Sequence, residues 1–134
     1  MNKLINLLIL FLLVSTLTYS QETGFAFTMK KELACTAVKN QSATSTCWCF
    51  SGISMLESEL LRMGKKPYDL SEMLIVRHTY EKKALMYARM HGNSSFAGGG
   101  EYGDLLNGCR EVGLVPDIAY PGLNYGEVKH NHPD

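Results

Sequence analysis

Apolar residues recur at Cys49, Ile53, Leu56, Leu60 and Met63, in steps of 4, 3, 4 and 3. That spacing is one face of a helix. Ser51, Ser54, Ser58 and Arg62 fall on another face, and Gly64 follows as a terminator. Ser45 and Thr46, both N-cap types, come just before. The pattern predicts a helix of about four turns that starts at or just before Cys47. Lys65-Lys66-Pro67-Tyr68-Asp69 then reads as a turn. Leu70-Ser71-Glu72 opens a second helix, with Ser71 or Asp69 as cap, running through Met73, Leu74, Val76 and Arg77 as far as Met90. Residues 91–100 form a loop containing Ala97-Gly98-Gly99-Gly100. A third helix carries Tyr102, Leu105, Cys109 and Val112 on one face and stops at Gly113. Leu114-Val115-Pro116 and Ala119-Tyr120-Pro121-Gly122 leave it as an extended segment. Gly24-Phe25-Ala26-Phe27-Thr28 alternates, as a strand or an extended arm would.

The first twenty residues follow a different logic. Lys3 is a positive start, and Leu4 to Leu17 is an almost uninterrupted apolar run. Thr18 and Ser20 are small residues placed for cleavage before Gln21. The run is shorter than the roughly 18 to 20 residues that span a bilayer. It reads as a cleaved secretory signal, with an uncleaved anchor helix as the alternative. The expected organisation is a signal over residues 1–20 and one domain over residues 21–134. The mature chain is then exported, to the periplasm or outside, with no membrane contact after cleavage. Formal net charge is zero and no basic run occurs, so nucleic-acid binding has no electrostatic footprint.

Candidate chemistry centres on Cys47. At a helix N-terminus, free N–H groups and the macrodipole favour an anion, here the thiolate. Gln41 lies six residues upstream, across a loop of small and hydroxyl residues. Such a loop can fold back and set the Gln41 amide beside the Cys47 backbone N–H. Two donors aimed at one point make an oxyanion hole for acyl transfer. Trp48 supplies an apolar wall beside the nucleophile.

Val38-Lys39-Asn40-Gln41, six residues from Gln41 to Cys47, then Cys47-Trp48-x-Phe50-Ser51, resembles the active-site segment of papain-like cysteine peptidases (peptidase C1). The resemblance implies that Cys47 is the nucleophile and Gln41 an oxyanion donor. It implies that Gly99 and Gly100 line the cleft with Trp48, their main chain pairing with a substrate peptide like an added strand. It covers residues from about 35 to 128. Residues 52–128 are closest in style to the bleomycin hydrolase and aminopeptidase C branch, as at Leu114-Val115-Pro116 and Tyr120 to Gly126, which implies aminopeptidase action. The implied fold is α+β, the papain-like cysteine proteinase fold, with only its mostly helical N-terminal half present. The histidine and asparagine of such enzymes lie roughly 130 to 150 residues after the cysteine, in a β-rich half. This chain is therefore expected to be a fragment, inactive by itself. One departure is the glycine-free loop from Ser42 to Thr46.

Other readings stay open. A non-catalytic peptide-binding remnant of the same fold would keep the cleft. A thiol redox protein would use Cys47 and Cys49, although two residues apart on a helix they face apart. Cys35, Cys49 and Cys109 are expected as small buried hydrophobes, with a Cys49–Cys109 bridge as the alternative. The cysteines lack zinc spacing, so no metal or other cofactor is expected. Peptide is the expected partner, and nothing bears on oligomeric state. Lys82, Lys83 and Arg89 read as a solvated face. His78 and His91 read as structural or exposed. His130 and His132 imitate a Cys-His-Asn set with Asn131, but the resemblance does not place the base there.

Overall fold

The computed structural model describes Ile5 and residues 24–132. The expected signal segment lies, apart from Ile5, outside the described residues. Contacts divide the chain into two units, Met1–Glu32 and Leu33–Asp134. In the first, residues 24–32 have no regular secondary structure, so the alternation at Gly24–Thr28 makes no strand. Phe25, Phe27 and Met29 there are exposed.

The second unit holds three helices: α1 (Cys47–Arg62), α2 (Glu72–Arg89) and α3 (Tyr102–Val112). A 3-10 turn over Asp117–Ala119 follows. No strand occurs among the described residues, only two isolated bridges, Ala43 with Asn131 and Leu70 with Pro116. No helix among them is long and apolar enough to cross a membrane.

α1 begins where its pattern predicts and ends in a Schellman motif. Lys65 N–H donates to the Leu60 carbonyl and Gly64 N–H to that of Leu61, each at 2.9 Å. Gly64 stands at φ +74°, which glycine adopts without a steric penalty. α2 is capped by Ser71, whose Oγ accepts from Leu74 N–H at 3.1 Å and donates to the Tyr120 carbonyl at 2.5 Å. One hydroxyl thus caps the helix and ties down the chain that leaves α3.

The core is the meeting of these helices: Trp48, Cys49 and Ile53 from α1, Met73, Ile75 and Val76 from α2, Leu105 from α3, and Leu70 before α2. Two glycines set how closely they cross. A Cβ at Gly52 would overlap the Leu105 side chain, and one at Gly108 would lie 2.8 Å from Ile75 Cγ2. Burial stops short of the predicted stripes at their ends. Met63, Tyr102 and Val112 are exposed, because each sits on a terminal turn beyond the reach of its neighbours. Cys49 is buried and Cys109 partly so, but Cys35 is exposed, against expectation, since it precedes the first packed element. All four thiols are free, and no Cys49–Cys109 bridge is present.

Candidate active site

Cys47 is the first residue of α1, and its side chain is exposed. Thr46 occupies the N-cap position but makes no side-chain cap bond. Its buried hydroxyl is spent on Thr44 Oγ1 at 2.6 Å. The Thr46 carbonyl accepts from Cys49 N–H and Phe50 N–H. The N–H groups of Cys47 and Trp48 have no partner among the described residues. A helix start left without a side-chain cap keeps its donors available to an anion.

The loop before it is wound by its own polar groups. Thr44 Oγ1 donates to the Gln41 carbonyl at 2.9 Å, and Asn40 Oδ1 accepts from Ser42 N–H at 2.8 Å. The Gln41 amide donates to the Thr44 carbonyl at 2.7 Å rather than standing free. A carboxamide has two N–H donors. One anchors the side chain to the loop, and the other has no partner among the described residues. Ser42 adopts φ +58°, the left-handed region where a glycine would sit without strain. The glycine-free loop therefore closes by straining Ser42.

Lys39 roots this loop in the helices. Its ammonium reaches Glu57 at 2.9 Å, Glu72 at 2.8 Å, Asp69 at 2.7 Å and the Leu70 carbonyl at 3.0 Å. Glu57 is fully buried, and also accepts from Thr36 Oγ1 and Leu70 N–H. Burial alone would depress the Lys39 pKa. Hydrogen bonds to Asp69, Glu72 and Glu57 outweigh that and hold it above the ordinary lysine value. Burial pushes the Glu72 carboxyl up, with Lys39 pulling against it. Burial, with Asp69 nearby, also raises Asp117. Burial likewise pushes up the Cys49 thiol, with Glu72 adding to it. Cys49 is therefore a poor thiolate, and its Sγ–H instead meets the Glu72 carbonyl at 3.4 Å.

Trp48 and the glycine loop meet across the site. The Trp48 indole N–H donates to the Gly98 carbonyl at 3.3 Å. Gly100 lies flat on the indole: a Cβ there would stand 2.5 to 2.9 Å from three ring atoms. Gly99 is exposed, with open space where its Cβ would be. Gly100→Ala is expected to cost about 1–3 kcal/mol, because the buried ring cannot move aside. Gly99→Ala is expected to be near neutral. Trp48 is the sole tryptophan, so its fluorescence during urea unfolding reads both variants at the contact itself.

The histidines fall elsewhere. His78 Nε2 pairs with Glu111 Oε2 at 2.7 Å, joining α2 to α3, and Lys82 shares that carboxylate. Those two partners, Lys82 first, hold the Glu111 pKa below the usual carboxylate range. His91 takes φ +50° just after α2. The 130–132 segment is held more firmly than its sequence foretells. Ala43 N–H donates to the His130 carbonyl at 3.3 Å, and His132 N–H to the Ala43 carbonyl at 2.9 Å. His130 nevertheless lines an open cavity of about 730 Å³ with Lys39, Glu72 and Asp117, and Cys47 is not part of that lining. Burial, with His132 adding to it, lowers the His130 pKa. Sequence reasoning missed one residue. Lys83 leaves the predicted solvated face and donates to the carbonyls of Ala97, at 3.1 Å, and Gly99.

Comparison with known proteins bears on this arrangement. The pattern described as papain family cysteine protease matches residues 25–92, about half of the chain. Peptidase 1 of Psoroptes ovis is 35% identical over 89 residues, which are 64% of this chain and 23% of that protein. The chain thus spans about a quarter of that relative's length. The exposed thiol at an open helix start, the anchored glutamine before it and the glycine loop on the tryptophan all lie in or beside the matched span. The chain belongs to the papain family of cysteine proteases.

Proposed function

We propose that this chain supplies the nucleophile half of a cysteine peptidase. The Cys47 thiolate attacks a peptide carbonyl. The oxyanion is received by the Cys47 N–H and the second N–H of Gln41. The amine leaves with a proton from the base, and water then hydrolyses the thioester. Trp48, Gly99 and Gly100 form the wall and edge along which the peptide lies. The observation that carries this reading is the uncapped start of α1, with Cys47 exposed on it and Gln41 anchored in the same loop. The resemblance puts the base and its orienting partner in a β-rich second half of an α+β fold, so the isolated chain is expected to be inactive. The style of residues 52–128 supports the bleomycin hydrolase and aminopeptidase C branch, and with it action at chain ends. The apolar run of residues 4–17 supports export.

Cys35 provides an internal control, being a second exposed thiol outside the proposed site. A peptidyl epoxide and iodoacetamide are applied to the protein, and the modified residues are mapped. The epoxide is expected to favour Cys47 over Cys35 by at least about tenfold more than iodoacetamide does, because its peptide must lie in the cleft. The same ratio for both reagents would reject the reading.

A further inference from the structure

The carbonyls of three consecutive residues in the glycine loop are all engaged by side chains of the helices. Lys83 donates to Ala97 and Gly99, and Tyr80 Oη donates to Gly98 at 3.2 Å. Trp48 reaches the same Gly98 carbonyl from α1. The Lys83 ammonium lies over the Tyr80 ring, 6.0 Å from its centroid. One turn of α2 thus holds the loop from behind. What remains is the N–H of Gly99 and both polar groups of Gly100, which have no partner among the described residues. A peptide that adds to a backbone edge needs such groups unspent and fixed in direction.

A loop with three glycines does not hold that shape unaided, since glycine gives up more backbone freedom on ordering than any other residue. Gly99 has no packing neighbour where a side chain would be, so contacts do not fix it either. A charge-assisted bond from a partly buried lysine supplies the missing restraint.

We infer that Lys83 is a positioning residue for peptide binding. By taking the Ala97 and Gly99 carbonyls, it fixes the free edge at Gly99 and Gly100 in the orientation a peptide backbone requires. Lys83 touches neither the substrate nor the reacting atoms. This inference rests on the proposed cleft, but peptide binding tests it apart from catalysis.

The test compares Lys83→Met and Lys83→Arg with the parent in the full enzyme. In Lys83→Met, a peptide that is bound but not cleaved, measured in a Cys47→Ala background, is expected to bind about tenfold more weakly, the size of losing one bond to a charged group. Hydrolysis is expected to show a KM raised about tenfold with kcat within about twofold. Backbone amide exchange at Gly99 and Gly100 is expected to quicken about tenfold. Lys83→Arg, which still reaches the carbonyls, is expected to restore most of the affinity. Unchanged peptide affinity in Lys83→Met, or a fall in kcat alone, overturns the inference. So does unchanged exchange at the glycines, even if Cys47 proves to be the nucleophile. Weakened peptide binding without any Cys47-dependent cleavage would instead sink the peptidase reading and leave Lys83 in its role.

Discussion

In the full enzyme proposed above, Cys47→Ala is expected to lower kcat/KM for a peptide amide by at least about 10³-fold, or about 4 kcal/mol of transition-state stabilisation. The proposed chemistry needs a thiolate to form the acyl-enzyme, and alanine offers nothing in its place. The other parts survive the change. The Cys47 N–H remains, because it belongs to the backbone. Gln41 keeps its anchor on Thr44, and Trp48 keeps its glycine contact. The side chain removed is exposed, so the urea midpoint should scarcely move. Cys35→Ala, the control at the other exposed thiol, should leave kcat/KM unchanged. Gln41→Ala should fall between the two, since it deletes one oxyanion donor and leaves the other. Activity in Cys47→Ala within tenfold of the parent would remove this residue from the role of nucleophile.

What could be read in the sequence was local. The period of 3.6 placed α1 to within a residue of its start, because Cys49 and Ile53 must face the core and Ser51 must not. Gly64 and Ser71 mark a stop and a start by backbone conformation and capping, which depend on neighbours a few residues away. The bonds between Gln41 and Thr44 are local in the same sense, made between residues three apart.

What could not be read depends on how the helices cross. Lys39 meets Glu57 and Glu72 across 18 and 33 residues. No spacing rule foretells that, and the approach is set by the bare backbones of Gly52 and Gly108. Lys83 looked like part of a solvated face because its partners are carbonyls, which carry no signature in sequence. The pairing of Ala43 with residues 130–132 is likewise made of backbone alone. The strained Ser42 is a milder case. The missing glycine was visible, but that the loop would keep a left-handed turn without one was not.

Lys39→Met is expected to cost about 3–5 kcal/mol at neutral pH, the range for breaking a buried ion pair by removing one partner. That is a large share of the total stability of an ordinary domain. Methionine fills much the same volume, so the loss is of charge rather than of packing. It strands Glu57, which is fully buried, and Glu72, which is nearly so, without their cation. In the parent, folding raises the affinity of Lys39 for its proton. Its contribution is therefore complete below the ordinary lysine pKa and fades only as pH climbs through the raised value. Glu72 runs the other way. Its carboxyl is raised on folding, so the native state holds the proton more tightly than the unfolded chain. Stability from this group falls as pH rises above the ordinary carboxylate value of about 4.3. Removing Lys39 deletes the partner that restrains that rise, so more protons enter the native state of the variant and its stability falls more steeply with pH. The difference between parent and variant should thus be smaller near pH 4, where the stranded Glu72 carboxyl can be neutral, than near pH 7. Urea unfolding at the two values measures it. An equal loss at both would mean that Lys39 matters through packing alone, and that the loop carrying Gln41 is not rooted by charge.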